Sequence, residues 1–412
     1  MKILVLNNST SKGGAAKAAN RILESVMCVD NNIQCEIIAD KIQKTKSYHK
    51  NVNHSASELF FRTAIDYFPR LLLTDTKKGR YSFWFIGKQL NDFIKNYKPD
   101  IIHLHWINEG FIEKDFFEFV NNWNIPIVVT MHDSWYFTGG CHITYDCEKY
   151  QNICKNCPQV KFDSIFNFAK RQFELKERLF TKNNFNFVAP SNWLKENAEK
   201  STILKNSKIV NIPNPIDTNL FAAHEKAVAK VKLDLPINKR YILFGSSSFD
   251  ENKGYSLFLK ALENIKLRDD VEFLFFGSEF KHNVKFRYTN MGYIDNEERL
   301  SYVYAAADFT IVPSLQENLS NVIMESLASK TPVIAFNVGG NCDMIKNKFN
   351  GFLIEDISSD SLRRTIEEAL QVGNKEFMDN NARKYVVENF DYKVIGQKYL
   401  NLYKEILGKN NG

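Results

Sequence analysis

Several things are missing from this sequence. No apolar run approaches the roughly 18 residues that a bilayer-spanning helix needs, and the opening run Ile3–Leu6 is too short for the core of a secretion signal. No Gly-x-Gly-x-x-Gly follows Leu6, which argues against a dinucleotide-dependent dehydrogenase. Proline is scarce, 10 in 412 residues, and with 44% hydrophobic and 25% charged residues the composition is that of a globular protein. Neither charge sign dominates. The 54 basic and 48 acidic residues leave +6, which suits proximity to phosphates or an anionic membrane surface but is not the dense basic patch of a nucleic-acid binder. These absences point to a cytosolic protein with no nucleic-acid partner, with peripheral contact at the inner face of the cell membrane left open.

What is present is a long chain with repeated apolar runs. Its length exceeds one ordinary core and implies two or three domains. Ile3–Leu6, Ile101–Leu104, Ile127–Thr130 and Phe187–Ala189 are continuous, β-branched-rich runs separated by helical stretches, the first helix beginning near Ala15. Continuous rather than alternating runs fit parallel strands covered on both faces, and their alternation with helices predicts a doubly wound α/β unit. The turn-rich Ile212-Pro213-Asn214-Pro215 then interrupts the pattern, which restarts with strands at Tyr241–Phe244, Phe273–Phe276, Phe309–Val312 and Val333–Phe336. A last helix from Asp391 to Leu407 carries Ile395, Tyr399, Leu402, Tyr403 and Ile406 at helical spacing, so it packs either on the second domain or back across the first. The expected domains are residues 1–212, joined by a returning helix at 388–412, and residues 213–387.

Each domain opens with a strand running into a small-residue loop, Ser11-Lys12-Gly13-Gly14 in the first and Gly245-Ser246-Ser247-Ser248 in the second, the latter leading to Lys253-Gly254. Such loops at the carboxyl ends of parallel strands are where open α/β sheets bind ligands. Gly14 allows close approach of backbone to a phosphate or an acceptor, although two adjacent glycines are weak evidence by themselves. The stretch from Phe309 to Glu325 reads as strand, loop and helix start. It puts Glu317 in the loop and Glu325 about 12 Å further along, at 1.5 Å per helical residue. Leu319, Ile323 and Leu327 form the buried stripe, and the amides of Asn318, Leu319 and Ser320 lie at a helix N-terminus, where anionic groups are favoured. Two carboxylates beside free amides suit a polyhydroxylated, phosphate-bearing ligand. Two solvated glutamates are the plain alternative.

The spacing Glu317-x(7)-Glu325, followed by Ser-Leu-Ala-Ser-Lys-Thr-Pro-Val-Ile-Ala, resembles the E-x(7)-E signature of retaining glycosyltransferases of the two-domain GT-B class, family four. Asn337-Val338-Gly339-Gly340, Asn350-Gly351-Phe352-Leu353, Ala189-Pro190-Ser191-Asn192 and Asn211–Asp217 match the same family, so the resemblance covers nearly the whole chain. It implies two Rossmann-like domains facing across a cleft, the first for the acceptor and the second for a UDP- or GDP-sugar donor. It implies that Glu317 lies beside the transferred sugar, that Glu325 holds the ribose, and that the turn Gly292-Tyr293-Ile294 cradles the base. Lys253 would neutralise the diphosphate leaving group; a surface lysine is the alternative. The family commonly carries an arginine five or six positions before that lysine, where this chain has Ser248 and Ser247. His132, with Asp133, matches the family's first-domain histidine and would bond a sugar hydroxyl or the phosphate. His103 and His105 read better as core histidines, His105 alternatively lining the acceptor side. The resemblance implies front-face transfer with retained configuration onto a glycan or lipid-linked acceptor in bacterial polysaccharide assembly. No cofactor is required for catalysis.

Four of the seven cysteines, Cys141, Cys147, Cys154 and Cys157, fall in one short stretch with a Cys-x(2)-Cys pair. That spacing permits a structural zinc site, with free or redox-active thiols as the alternative. Cys28, Cys35 and Cys342 are read as core residues. Two stretches mix aromatic and basic residues: Leu59–Arg62 on to Arg80–Phe85, and Phe162, Phe166 and Phe173 with Lys170, Arg171, Lys176 and Arg178. They suit an interfacial membrane contact or, alternatively, a core with solvated charges. Rivals to the transferase reading are a phosphorylase or epimerase on the same fold, and a non-catalytic nucleotide- or glycan-binding module.

Overall fold

The computed structural model describes residues 1–11, 13–42, 46–51, 56–75, 80–180, 185–246, 251–280, 284 and 286–410. The chain divides into two compact units, Met1–Asn214 with Ile395–Gly412, and Pro215–Val394. Residues 388–394 therefore stay with the second unit.

The first unit is built on a seven-stranded, wholly parallel sheet. Its strands are β1 (Lys2–Leu6), β2 (Gln34–Ala39), β3 (His49–Asn51), β4 (Ile101–Leu104), β5 (Ile127–Thr130), β6 (Phe185–Ala189) and β7 (Ile209–Asn211). Their spatial order is β3-β2-β1-β4-β5-β6-β7. β4 and β5 are buried at every position, which is why their sequences show no polar alternation. Successive side chains point to opposite faces. Leu4, Leu6, Ile102, Leu104 and Val129 pack beneath the helices Asn91–Tyr97, Asp115–Asn122 and Phe168–Phe180. Ile3, Val5, Ile101 and Val128 pack on the other face with the helix Gly14–Val29 and with Ile395, Tyr399, Tyr403 and Ile406 of the helix Tyr392–Asn410. Fully burying each such side chain is worth roughly 1.5–3 kcal/mol. Gly396 lets the last helix meet the first, because a Cβ there would lie 2.1 Å from the Ser25 carbonyl oxygen.

The second unit repeats the plan with six parallel strands: β8 (Arg240–Ser246), β9 (Val271–Gly277), β10 (Tyr288–Asn290), β11 (Phe309–Val312), β12 (Val333–Phe336) and β13 (Gly351–Ile354). The order is β10-β9-β8-β11-β12-β13. Buried residues again form two layers, one around Leu243, Ala335, Tyr304 and Ile323 and one around Phe244, Phe258, Ile311 and Ile334. In both sheets the order of strands reverses direction in sequence at one place, between β1 and β4 and between β8 and β11. In open α/β sheets the crevice outside the carboxyl ends at that point is where ligands bind.

The scattered cysteines correct one expectation. Cys35 is buried on β2, but Cys28 and Cys342 are exposed. Both belong to helices whose outward faces they share with polar neighbours, so a small hydrophobic side chain there was no sign of burial. Among the described residues no helix is long and apolar enough to cross a membrane.

Candidate active site

In the second unit three loops meet at the switch point. β11 ends in Pro313-Ser314, and the loop that follows carries Glu317 to the helix Asn321–Ala328. Ser320 caps that helix, its hydroxyl accepting from the Ile323 amide. After β8 a single 3-10 turn, Glu251–Lys253, brings Lys253 across to Glu317, with Nζ 2.8 Å from Oε2. The two loops are also joined through backbone: the Leu315 amide donates to the Asn252 carbonyl at 2.8 Å. After β12, Gly340 donates its amide to the Glu317 carbonyl at 3.1 Å.

Two glycines make this meeting sterically possible. Gly254 (φ +68) and Gly339 (φ +55) occupy the left-handed region. A Cβ on Gly254 would lie 1.7 Å from the Pro313 carbonyl oxygen, and one on Gly339 would lie 1.6 Å from the Glu317 carbonyl oxygen. The loop around Glu317 is thus held by close backbone contact on both sides. Glu325, one turn into the helix, is buried, and its carboxylate accepts from the Tyr304 hydroxyl at 3.0 Å. Asn318 is half-buried, whereas Leu319 and Ser320 are buried. Ile294 follows β10 and packs on the core, while neighbouring Tyr293 is exposed; the two line a surface groove with Asn296 and Tyr302. Ser247 and Ser248, which stand where the resembled family has its arginine, lie outside the described residues.

In the first unit two histidines stand at the carboxyl ends of β4 and β5, beside the switch point where Glu109, after β4, meets Asn8, after β1, and pairs with Lys41 at 2.8 Å. The loop after β1 reaches Gly13 (φ +89) and the exposed Gly14, which begins the helix Gly14–Val29. His105 follows β4 and His132 follows β5, and His105 Nδ1 lies 2.9 Å from His132 Nε2. His105 Nε2 is buried with no hydrogen-bond partner. His103, inside β4, is a satisfied core histidine: Nε2 meets Thr130 Oγ1 and Nδ1 meets the Tyr403 hydroxyl, each at 2.8 Å. Burial keeps all three neutral. It pulls His132 down to about 4 and His103 to about 3, and holds His105 well below the ordinary imidazole range.

Asp133 turns the chain after His132. Its Oδ1 accepts from the Trp135 amide at 2.8 Å, and its Oδ2 lies 2.8 Å from His142 Nδ1. His142 Nε2 in turn meets Ser82 Oγ at 2.8 Å, and the imidazole stacks on Trp106 at 4.5 Å. Burial raises the Asp133 carboxyl, but His142 and the hydrogen bonds outweigh it and leave it below the usual carboxylate value. Sequence reasoning missed this anchor, as it missed Tyr304 behind Glu325. Both pairings join residues whose contact only the fold reveals. Gly254 and Gly339 were visible as motif glycines, although not the carbonyls they make room for.

The four clustered cysteines line one small cavity with Tyr81, Gly139 and Ala169. The Gly139 amide donates to Cys154 Sγ at 3.2 Å. Burial pushes the thiols of Cys154 and Cys157 up, to about 12 and about 11, so both carry their protons at neutral pH. Among the described residues no three His, Cys, Asp or Glu side chains are grouped so as to hold a metal ion.

Known proteins agree with this geometry. A family described as "Glycosyl transferases group 1" matches residues 228–385, and "Glycosyltransferase Family 4" matches residues 29–220. An uncharacterised glycosyltransferase of Methanocaldococcus jannaschii is 24% identical over 303 residues, covering 68% of this chain and 77% of that protein. The Escherichia coli UDP-Gal:alpha-D-GlcNAc-diphosphoundecaprenol alpha-1,3-galactosyltransferase is 28% identical over 228 residues, spanning 52% of this chain and 58% of that enzyme. In fold, the chain superimposes on the Anabaena protein HepE, solved with UDP-glucose, with a TM-score of 0.65 at 17% identity, covering 98% of this chain and all of that one.

Proposed function

We propose a donor, an acceptor class and a stereochemical course for a chain that belongs to the GT-B glycosyltransferases, as its two family matches and its fold establish. The reaction is transfer of a glycosyl group from a nucleoside diphosphate sugar to a hydroxyl of a glycan or lipid-linked acceptor, with retained anomeric configuration. One observation carries this reading: the Lys253–Glu317 ion pair that bridges the switch point of the second sheet.

Before donor binds, that pair keeps a cation and an anion in place and mutually neutralised. An incoming diphosphate competes for Lys253 and leaves Glu317 to accept hydrogen bonds from sugar hydroxyls. Negative charge grows on the leaving diphosphate as the glycosidic bond breaks, and a fixed ammonium with nearby amides at Asn318, Leu319 and Ser320 stabilises it where it forms. Glu325, oriented by Tyr304, receives the ribose hydroxyls, and the turn at Ile294 meets the base. Within the first unit, neutral His132 offers a hydrogen bond to a sugar hydroxyl, and Gly13-Gly14 allow close approach of the acceptor. Lys253 supplies the charge a divalent cation would otherwise supply, so transfer proceeds in EDTA. The cysteine block is a structural neighbour of His132.

Two findings support the finer choice of substrates. The E. coli relative uses UDP-Gal and a diphosphoundecaprenol-linked sugar, and HepE was solved with UDP-glucose. A UDP-sugar donor and a polyprenyl-diphosphate-linked acceptor, of the kind used in bacterial surface-polysaccharide assembly, follow as the first pair to test. A thermal-shift screen of UDP, GDP and their sugars should single out one base, because a bound ligand raises the unfolding temperature by mass action. Product anomeric configuration by NMR then tests the course of transfer. An inverted product, or full activity in Glu317→Ala, would sink the reading.

A further inference from the structure

The two imidazoles at the carboxyl ends of β4 and β5 do more than stand side by side. His105 Nδ1 lies 2.9 Å from His132 Nε2, the ring centroids are 5.1 Å apart and the planes differ by only 20°. Rings so spaced, with so short a nitrogen–nitrogen contact, meet edge to edge, which is the geometry of an in-plane hydrogen bond. Both rings are neutral. A neutral imidazole has one N–H and one bare nitrogen, so one ring must donate and the other accept.

The far side of His105 decides which. Its Nε2 is buried and has no hydrogen-bond partner among the described residues. If His132 donated, His105 would carry its own proton on Nε2, and a buried N–H would have nothing to accept it. Such an orphan forfeits its full desolvation cost, and orphaned N–H groups are rarer than under-used lone pairs. If His105 donates from Nδ1, only a lone pair faces the gap. The ring is also held in place. It packs on His103 with centroids 4.2 Å apart, and His103 is itself fixed by Thr130 and the Tyr403 hydroxyl. The His105 carbonyl accepts from the Tyr136 hydroxyl at 2.9 Å, and its amide donates to the Leu6 carbonyl at 3.0 Å.

We propose that His105 is a positioning residue: it donates from Nδ1 to His132 Nε2 and so fixes His132 as the tautomer with its proton on Nδ1. Which imidazole nitrogen carries the proton is set by the bond the other one makes. With Nε2 taken up as an acceptor, what remains on the His132 ring is an N–H. His132 can therefore donate to a hydroxyl or phosphoryl oxygen, but it cannot take the proton of an attacking hydroxyl. The tautomer follows from the resting geometry alone; its use in transfer rests on the reading that His132 meets the substrate.

The test is nitrogen NMR of the full chain with labelled histidine, which separates a protonated ring nitrogen from a bare one. Resonances are assigned by their loss in His105→Leu and His132→Asn. Wild type without ligand should show both His105 and His132 protonated at Nδ1. His105→Leu removes the donor, so His132 should shift toward the Nε2–H form, and kcat should fall about tenfold with little change in donor KM. His105→Asn places an amide N–H near the same spot, and should restore the His132 tautomer and most of the lost kcat. The proposal is overturned if wild-type His132 carries its proton on Nε2, if His105→Leu keeps both the Nδ1–H form and full kcat, or if His105→Asn restores neither. The wild-type spectrum decides the tautomer even if the Leu variant fails to fold. It is read without any transferase assay, so a failure of the transferase reading shows up separately.

Discussion

The two sheets share one strand order, yet their switch points differ in electrical character. In the second unit a cation and an anion face each other 2.8 Å apart, Lys253 on the loop after β8 and Glu317 on the loop after β11. In the first unit the carboxyl ends of β4 and β5 hold imidazoles that burial keeps uncharged, with His132 at about 4, and the carboxylates near them, Glu109 and Asp133, are already bonded to Lys41 and His142. The same topology can thus be fitted for two different partners. A charged end suits a diphosphate whose negative charge grows during reaction. A neutral imidazole can bond a hydroxyl without attracting the leaving group.

Substitutions should expose this asymmetry, and the strongest should be at Glu317. Glu317→Gln keeps the shape and removes the charge; kcat is expected to fall about 10²–10³-fold, as when one preorganised electrostatic contact is removed, with little change in unfolding temperature. Lys253→Ala should lower kcat/KM by roughly 10–100-fold, with nucleoside diphosphate binding by calorimetry weakened in step. If Lys253→Ala instead left diphosphate affinity intact, the charged-versus-neutral contrast would fail. Gly339→Ala tests the backbone support. Its Cβ must displace the Glu317 carbonyl, and alanine must take up the left-handed φ of residue 339, so a loss of about 1–3 kcal/mol in stability is expected, accompanied by reduced activity.

The neutral end makes a prediction in pH. His103 and His132 titrate at about 3 and about 4 when folded, against 6.5 as the ordinary value. The unfolded chain therefore binds more protons than the folded one between these values. Their stabilising contribution is complete above pH 6.5 and is lost as pH falls toward 4. Thermal melts across pH 4–7 should show a slope that His132→Asn reduces, with no such change above pH 7. The smallest effect is expected at the cysteine block: Cys154→Ser should lower the unfolding temperature by a few degrees and leave kcat unchanged. A large loss of kcat there would give the cysteine block a part in the chemistry.

The sequence made some of this legible and hid the rest for identifiable reasons. β1, β4, β5, β11 and β12 were visible because strands buried on both faces must be apolar at every position. β3 and β10 are three-residue edge strands, too short to carry a pattern, and β2 mixes Gln34 and Glu36 into its run. Glu317 and Glu325 were legible through a spaced motif. Their partners were harder to see: Lys253 is 64 residues from Glu317, and Tyr304 is 21 from Glu325. His142 behind Asp133 escaped notice because it lies among the clustered cysteines, nine residues beyond its partner. The aromatic-and-basic stretches were noticed, yet sequence alone could not say which side faces water. In the helix Ala56–Leu73 it is the apolar side, whereas Phe173 and Lys176, named in the other stretch, are both buried.

One consequence of the fold concerns the order in which it can be made. The first unit is discontinuous, since Ile395–Gly412 completes it after the whole of Pro215–Val394 has intervened. Ile395, Tyr399 and Tyr403 cover Ile3, Val5 and Ile101, and Tyr403 also supplies the bond to His103 Nδ1. During synthesis the second unit emerges complete while one face of the first sheet is covered only by the helix Gly14–Val29 and still lacks its last helix. The N-terminal half must therefore wait on the ribosome with apolar surface open, and a chain that stalls before residue 395 is a natural client for chaperones.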